Sequence, residues 1–377
     1  MSMDKEELGQ LLEGVERFAR ERVGAASARP ESPIGPELLL QLTREAVELG
    51  VLPPSTTGEG YGIWEHRDDP HAMAFNTGVL RRIAHANPGV AFAWHRMGLA
   101  RFIATQLGLS LEPDELQGTL LAPTGHYGLA RHSLARWLAA AELRDEDRIF
   151  MTDWLDRYGN ATTIYGRQNW TRLLWPIWCA DRIAWQHVER AALDVSAEDS
   201  QHGLDELSCF VVRQGEILGE IIETDMENSR LTYARVLKME MLGLLAIGAG
   251  ALDRGQKMAR DYAQAREQGG QAIGNYPAVQ HMLSDIQIAR HNVDMALSVF
   301  ARPIDELDVG ALAATRASMS PELCHAANQV MQVYGGIGYT RDAGPEKLVR
   351  DQNMLKLMSG GAREIHTFLA AWTGAHS

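Results

Sequence analysis

Apolar positions recur along the chain with two different periods, and the period changes twice. Near the N-terminus Leu8, Leu11, Leu12, Val15 and Phe18 fall at i, i+3, i+4 and i+7 spacing, which lines one face of an α-helix. The same period predicts helices over Pro36–Leu49, Met73–Ala86 and Val90–Leu107. Gly50 stands where a helix C-cap is wanted, Pro53-Pro54 forbids continuation, and Gly58–Gly62 reads as a loop. From about Gly118 to Asp225 the apolar runs shorten. Arg148–Leu155, Ala161–Trp170, Arg182–Val188, Ser208–Gln214 and Ile217–Glu223 are rich in β-branched and aromatic residues and bounded by turn residues, the pattern of strands. A helical insert is predicted around His132–Leu143. From about Leu231 the helical period returns, over Val236–Arg266, Pro277–Ala301, Pro345–Leu357 and Arg363–Trp372. Asn275 ahead of Pro277, and the run Ser320-Pro321-Glu322, read as helix starts.

Helices, then strands, then helices make an α+β chain with the sheet in the middle. We divide it into an N-terminal helical domain (1–117), a middle antiparallel β domain (118–225) and a C-terminal helical bundle domain (226–377). At 377 residues it can bury a large core. The formal charge of −13, with no basic stripe, argues against nucleic acid and anionic membrane as partners. Cys179, Cys209 and Cys324 are isolated and five of the 13 histidines, His126, His132, His187, His281 and His366, are scattered. Neither a disulfide framework nor a metal site is expected. The acidic N-terminus lacks the apolar region of a secretory signal, and no apolar run is long enough to span a membrane. A soluble, reducing, cytoplasmic setting is the expectation.

Two stretches suggest chemistry. In Glu240-Met241-Leu242-Gly243-Leu244-Leu245 one carboxylate stands in an apolar helix. Desolvation would raise its pKa toward the range of a general base, unless it is an ordinary exposed glutamate beside Lys238. Gln332-Val333-Tyr334-Gly335-Gly336-Ile337-Gly338-Tyr339 joins an apolar helix to a glycine loop, and Pro345-Glu346-Lys347-Leu348-Val349-Arg350-Asp351 restarts a helix at a proline. Trp175, Trp178 and Trp185 wall a pocket or pack a sheet face. No Walker, GxSxG or Rossmann motif occurs.

The run from Gln332 to Asp351 resembles the C-terminal signature of the acyl-CoA dehydrogenase family, QxxGGxGY followed by PxEKLxRD. Tyr262 to Gly270 resembles that family's Y…RxQFG motif, and Val279-Gln280 its VQ segment. The resemblance implies an N-terminal helical domain, a middle β domain and a C-terminal four-helix bundle. It also implies an oxidoreductase of lipid metabolism that uses FAD to desaturate an acyl-CoA and passes electrons to an electron-transferring flavoprotein. Arg266, Gln268, Gln332, Gly335 and Gly336 would bind FAD from a neighbouring subunit of a homodimer or homotetramer, or of a heteromer. Trp170 and Thr171, in a segment that resembles the family's GxKxWIT strand, would line the flavin; a core strand aromatic is the other reading of Trp170. Counting back from Arg266 places Glu240 where isovaleryl- and long-chain-type members carry their base. Most members carry it instead in a C-terminal loop, where this chain has Ser359 or Gly360, with Glu364 nearby as a rival. Three departures stand out: Gly269 replaces an aromatic, Met241 an arginine, and Leu121–Gly128 does not match the family's TEPGAGSD loop. A non-catalytic partner subunit and a flavin monooxygenase on the same scaffold therefore remain as alternatives.

Overall fold

The structure is a computed structural model, and it describes residues 5–57, 62–66, 69, 71–123, 129, 131–155, 161–198, 201–214 and 220–376. Most of the loop predicted at Gly58–Gly62, the segment 124–128 with His126, and the first part of the strand predicted at Ile217–Glu223 lie outside them.

The N-terminal helices are α1 (Lys5–Phe18), α2 (Pro36–Glu48), α3 (Ala72–Ala86), α4 (Pro88–Gln106) and α5 (Pro113–Gly118). Asn87 starts α4 by accepting from the Val90 backbone N–H at 3.0 Å, with Pro88 in the first turn. Nearly every residue of α4 is buried, so this helix runs through the core and its polar side chains must find partners there.

The middle of the chain forms two small sheets. One has the order β1 (Thr119–Leu121), β3 (Arg172–Cys179), β4 (Arg182–Glu189), β7 (Ile221–Ile222); the other is β2 (Thr162–Gly166), β6 (Ser208–Gln214), β5 (Leu193–Ala197). All pairs are antiparallel except β1 with β3, which is parallel. Strands β1, β3 and β5 are absent from the sequence prediction. In β3 the signal was masked by Pro176, which survives because β1 pairs only as far as Leu174 and leaves the proline on an edge. The insert is α6 (His132–Leu138). The strand expected at Arg148–Leu155 is instead a helix, α7 (Asp145–Leu155). Asp145, Glu146 and Asp147 favour a helix N-terminus, and the buried Asp147, Met151, Trp154 and Leu155 follow helical spacing.

The C-terminal part holds α8 (Met226–Ala265), a hairpin of β8 (Glu267–Gln268) and β9 (Gln271–Ala272), α9 (Pro277–Val299), α10 (Val309–Tyr334), α11 (Pro345–Leu357) and α12 (Ala362–His376). Asp225 caps α8 by accepting from the Asn228 N–H at 2.9 Å. The start predicted at Ser320-Pro321-Glu322 lies inside α10, which begins at Val309 behind the capping Asp308. Helix α10 tolerates Pro321 because its buried face is anchored on both sides of it. Asn275 makes no cap; Tyr276 occupies that position with no side-chain bond.

Helices α8–α11 pack as a bundle around Ala249, Leu252, Ile286, Ala327 and Val330. The same α8 also packs on α3 and α4, so one helix belongs to two cores. Lys347 and Asp351 of the Pro345–Asp351 run tie α11 to the segment before β6. Lys347 Nζ lies 2.8 Å from Asp351 and 3.3 Å from Glu206, and Asp351 accepts from the Leu204 N–H at 2.7 Å.

Candidate active site

Helices α4, α8 and α11 meet the sheets around a cavity of about 260 Å³, just below the roughly 300–1,000 Å³ usual for small-molecule sites. Its wall is mostly apolar. The polar side chains that reach it are Arg96 from α4, Thr163 and Tyr165 from β2, Glu240 from α8 and Ser359 beyond α11.

Glu240 is 1% exposed, so it is not the solvated glutamate beside Lys238; that lysine turns away and donates to the Ile304 carbonyl at 3.1 Å. One carboxylate oxygen of Glu240, Oε2, accepts from Arg96 Nη1 at 2.7 Å, and the other, Oε1, from Ser359 Oγ at 2.8 Å. His95 Nε2 stands 3.4 Å from Oε2, a long contact for an N–H donor. The other terminal nitrogen of Arg96 donates to the carbonyls of Leu121 and Ala122 at 2.7 and 3.0 Å. The end of β1 thereby aims the guanidinium at the carboxylate.

The raised pKa expected of Glu240 is therefore corrected. Burial pushes the carboxyl up, but Arg96, His95 and Ser359 outweigh it and hold the group well below the ordinary carboxylate range. Arg96 is the residue the sequence reading passed over, although an arginine inside the apolar run Val90–Leu107 was a signal that some buried anion needed a partner.

Ser359 has φ +55, a left-handed conformation held from outside. Arg316 of α10, fully buried, donates to the Leu355 carbonyl at 2.8 Å and to the Met358 carbonyl. These bonds cap the C-terminus of α11 and fix the turn that carries Ser359. Burial pulls the Arg316 pKa down to about 10. Of the two loop positions considered, Ser359 meets Glu240. Glu364 is half-buried on α12 and is absent from the cavity wall.

The residues expected to bind a dinucleotide gather elsewhere. Arg266 ends α8, and Gln268, in the hairpin that follows, and Gln332, near the end of α10, are all exposed. Tyr262 and Tyr334 stack at 4.1 Å between ring centroids and bring the two helix ends together. Gly335 (φ +61) and the exposed Gly336 open the turn that follows, with open space above both. Among the described residues the side chain of Arg266 has no hydrogen bond or ion pair. This donor set suits phosphate and carbonyl oxygens.

Trp170 and Thr171 are not brought to the cavity. Trp170, 2% exposed, packs edge-on against Phe210 with the Arg190 guanidinium 4.6 Å from its ring centroid. Thr171 is exposed, and its backbone N–H donates to the Gly118 carbonyl. The core-aromatic reading of Trp170 fits this placement; Thr163 and Tyr165, alternate residues of β2, face the cavity instead. The tryptophan cluster packs sheet faces: Trp178 against Trp137, and Trp185 against Tyr233. Among the described residues no group of His, Cys, Asp and Glu is arranged to hold a metal, and the three cysteines are free.

Residues 231–371 match the family model of the acyl-CoA dehydrogenase C-terminal domain. The chain is 31% identical over 127 residues to the 3-sulfinopropanoyl-CoA desulfinase of Paraburkholderia xenovorans (strain LB400), covering 33% of this chain and 32% of that protein. It is 29% identical over 125 residues to the "Probable acyl-CoA dehydrogenase YngJ" of Bacillus subtilis (strain 168), covering 32% of each. The matches thus span about a third of these relatives' length. The fold is similar over nearly the whole chain to glutaryl-CoA dehydrogenase from Mycobacterium smegmatis, with a TM-score of 0.73 at 15% identity, covering 99% of this chain and 95% of that one.

Proposed function

We propose that this chain, whose residues 231–371 belong to the acyl-CoA dehydrogenase C-terminal domain family and whose fold is that of the solved acyl-CoA dehydrogenases, desaturates an acyl-CoA thioester next to its carbonyl. Glu240 is the acceptor of the α-proton. The observation that carries this reading is the 2.8 Å bond between Ser359 and Glu240. A position on α8 and a position in the C-terminal turn converge on one point of the cavity wall, and among the described residues Glu240 is the one carboxylate there.

The donor set fits FAD at its nucleotide end. Arg266 would pair with the pyrophosphate, and Gln268, Gln332 and the turn at Gly335 and Gly336 would complete the site. FAD, when bound, supplies the acceptor for the β-hydride. Arg266 lies 26 residues beyond Glu240 along α8, roughly 39 Å at 1.5 Å per residue. A cofactor whose ring reaches the Glu240 cavity is therefore held at its other end by a second copy of the chain. Exposed Ile288, Met295 and Val299, on one side of α9, offer such a copy an apolar face. An electron-transferring flavoprotein is the proposed electron acceptor.

Within this chain, Glu240 is ionised and so ready to take a proton. Its pairing with Arg96 makes it a weak base, which requires the α-carbon to be acidified by donors to the thioester carbonyl. The cavity is small, which favours a short or branched acyl end over a long chain.

The Arg96–Glu240 pair also supports a second reading, in which the carboxylate only balances the guanidinium and the protein is a base-free flavin monooxygenase or a partner subunit. Anaerobic bleaching of the purified protein by a panel of acyl-CoA thioesters separates them. Desaturation predicts rapid bleaching, slowed by at least ~10² in Glu240→Gln, the low end of general-base catalysis. No bleaching by any thioester, or a protein that retains no flavin, favours the second reading; equally rapid bleaching in both proteins removes Glu240 as the base.

A further inference from the structure

Behind Glu240, on the side away from the cavity, a buried imidazole is fixed in one tautomer. His95 is fully buried on α4. Its Nδ1 lies 2.9 Å from the indole Nε1 of Trp64. An indole N–H only donates, so Nδ1 is the acceptor and the neutral ring carries its proton on Nε2. That Nε2 faces Glu240 Oε2.

The surroundings are shaped for this pair. A Cβ on Gly243, one turn from Glu240, would lie 2.3 Å from His95 Cε1, and one on Gly98 would lie 2.9 Å from Trp64 Cδ1. Neither position admits a side chain without moving a ring. Trp64 has φ +67, a conformation sparsely populated by non-glycine residues. Its backbone N–H donates to Asn76 Oδ1 at 2.7 Å, which helps to hold it there.

We propose that Trp64 and His95 are positioning residues for Glu240. The indole fixes the imidazole with its Nε2–H turned toward the carboxylate, 3.4 Å from Oε2 and, among the described residues, without a hydrogen bond of its own, a role that rests on Glu240 being the α-proton acceptor. Because Nε2 already bears hydrogen, a proton taken by Glu240 has no onward path to His95 and leaves only on the cavity side. The charged groups facing the ring are Glu240 from α8, Arg96 from its own helix and Arg316 from α10. Burial and the two cations oppose a second proton on the ring, against the pull of Glu240, and its pKa is lowered.

The test is nitrogen-15 NMR of the full-length flavin-loaded protein with labelled histidine. One neutral Nε2–H histidine should stay untitrated from about pH 5 to 8, around the ordinary histidine value near 6.5, and its signal should vanish in His95→Gln. Trp64→Phe keeps an aromatic ring but removes the donor. The same histidine should then titrate or mix tautomers, and flavin reduction, expected to be flat with pH in the native protein, should fall at least tenfold on its acid side. An Nδ1–H or titrating His95 in the native protein overturns the proposal, and that measurement needs no variant to fold. A flat profile in a folded Trp64→Phe overturns the positioning role. Native-rate flavin reduction in Glu240→Gln removes the base itself and leaves the tautomer result standing, so the two failures are distinguishable.

Discussion

Glu240 is charged where burial alone would neutralise it, and Arg96 decides the outcome. In the native protein the depressed pKa means that the pair's contribution to stability is fully present above the unfolded carboxylate value, near 4.3. It is lost only as pH falls through the folded value. Arg96→Leu reverses the sign. Burial then dominates, the folded pKa rises above the unfolded one, and stability declines as pH rises through that raised value. We expect the variant to lose about 3–5 kcal/mol at pH 7, the cost of stranding a buried charge. It should lose less at pH 5, where Glu240 binds a proton. Urea titrations at the two pH values check this; equal losses would show that Arg96 acts by packing alone. In the same variant flavin reduction should acquire an acid limb that the native profile lacks.

At the scale of elements, the cavity depends on where α11 ends and how it is tied down. Arg316 caps that end, and Lys347 pairs with Asp351 and Glu206 on the side facing the segment before β6. Two carboxylates share one ammonium there, and burial raises the Asp351 pKa with Glu206 reinforcing it. Lys347→Met leaves both acids without their cation and should cost about 3–5 kcal/mol at neutral pH. Because the folded Asp351 pKa is raised, the deficit should shrink as pH falls toward 5, when Asp351 binds a proton. Calorimetry across that range measures it. A pH-independent deficit would mean that the clamp acts through the lysine stem rather than its charge.

At the scale of the whole molecule, the cavity and the exposed donors lie at widely separated points of α8. A monomer therefore cannot use both on one cofactor. We expect a dimer or dimer of dimers related by twofold axes, seen as a multiple of 41.7 kDa by sedimentation with flavin bound. A flavin-loaded monomer would contradict this. Arg266→Ala should lose flavin on gel filtration while its helical circular dichroism is unchanged, since Arg266 follows the last residue of α8 and is exposed. Full retention of flavin would remove Arg266 from the site. Among the described residues no helix is long and apolar enough to cross a membrane.

The periodicity of apolar residues determined the order of helices and strands, because one-sided burial writes a period of 3.6 or 2 directly into the chain. It located α2, α3, α4, α9 and α11 to within two or three residues. It mistook α7 for strand and missed β3, where a proline and short apolar runs leave the period ambiguous until neighbouring strands and helices decide it. The motifs at Gln332–Asp351 and Tyr262–Gly270 were legible because their glycines, proline and charges are local backbone requirements. Glu240 was legible as a lone carboxylate in an apolar helix. Its charge state was not. That is set by Arg96, 144 residues away along the chain, by Ser359 after α11, and by His95 under the indole of Trp64. The distances that fix a proton's energy are contacts between elements, and only the folded chain makes them.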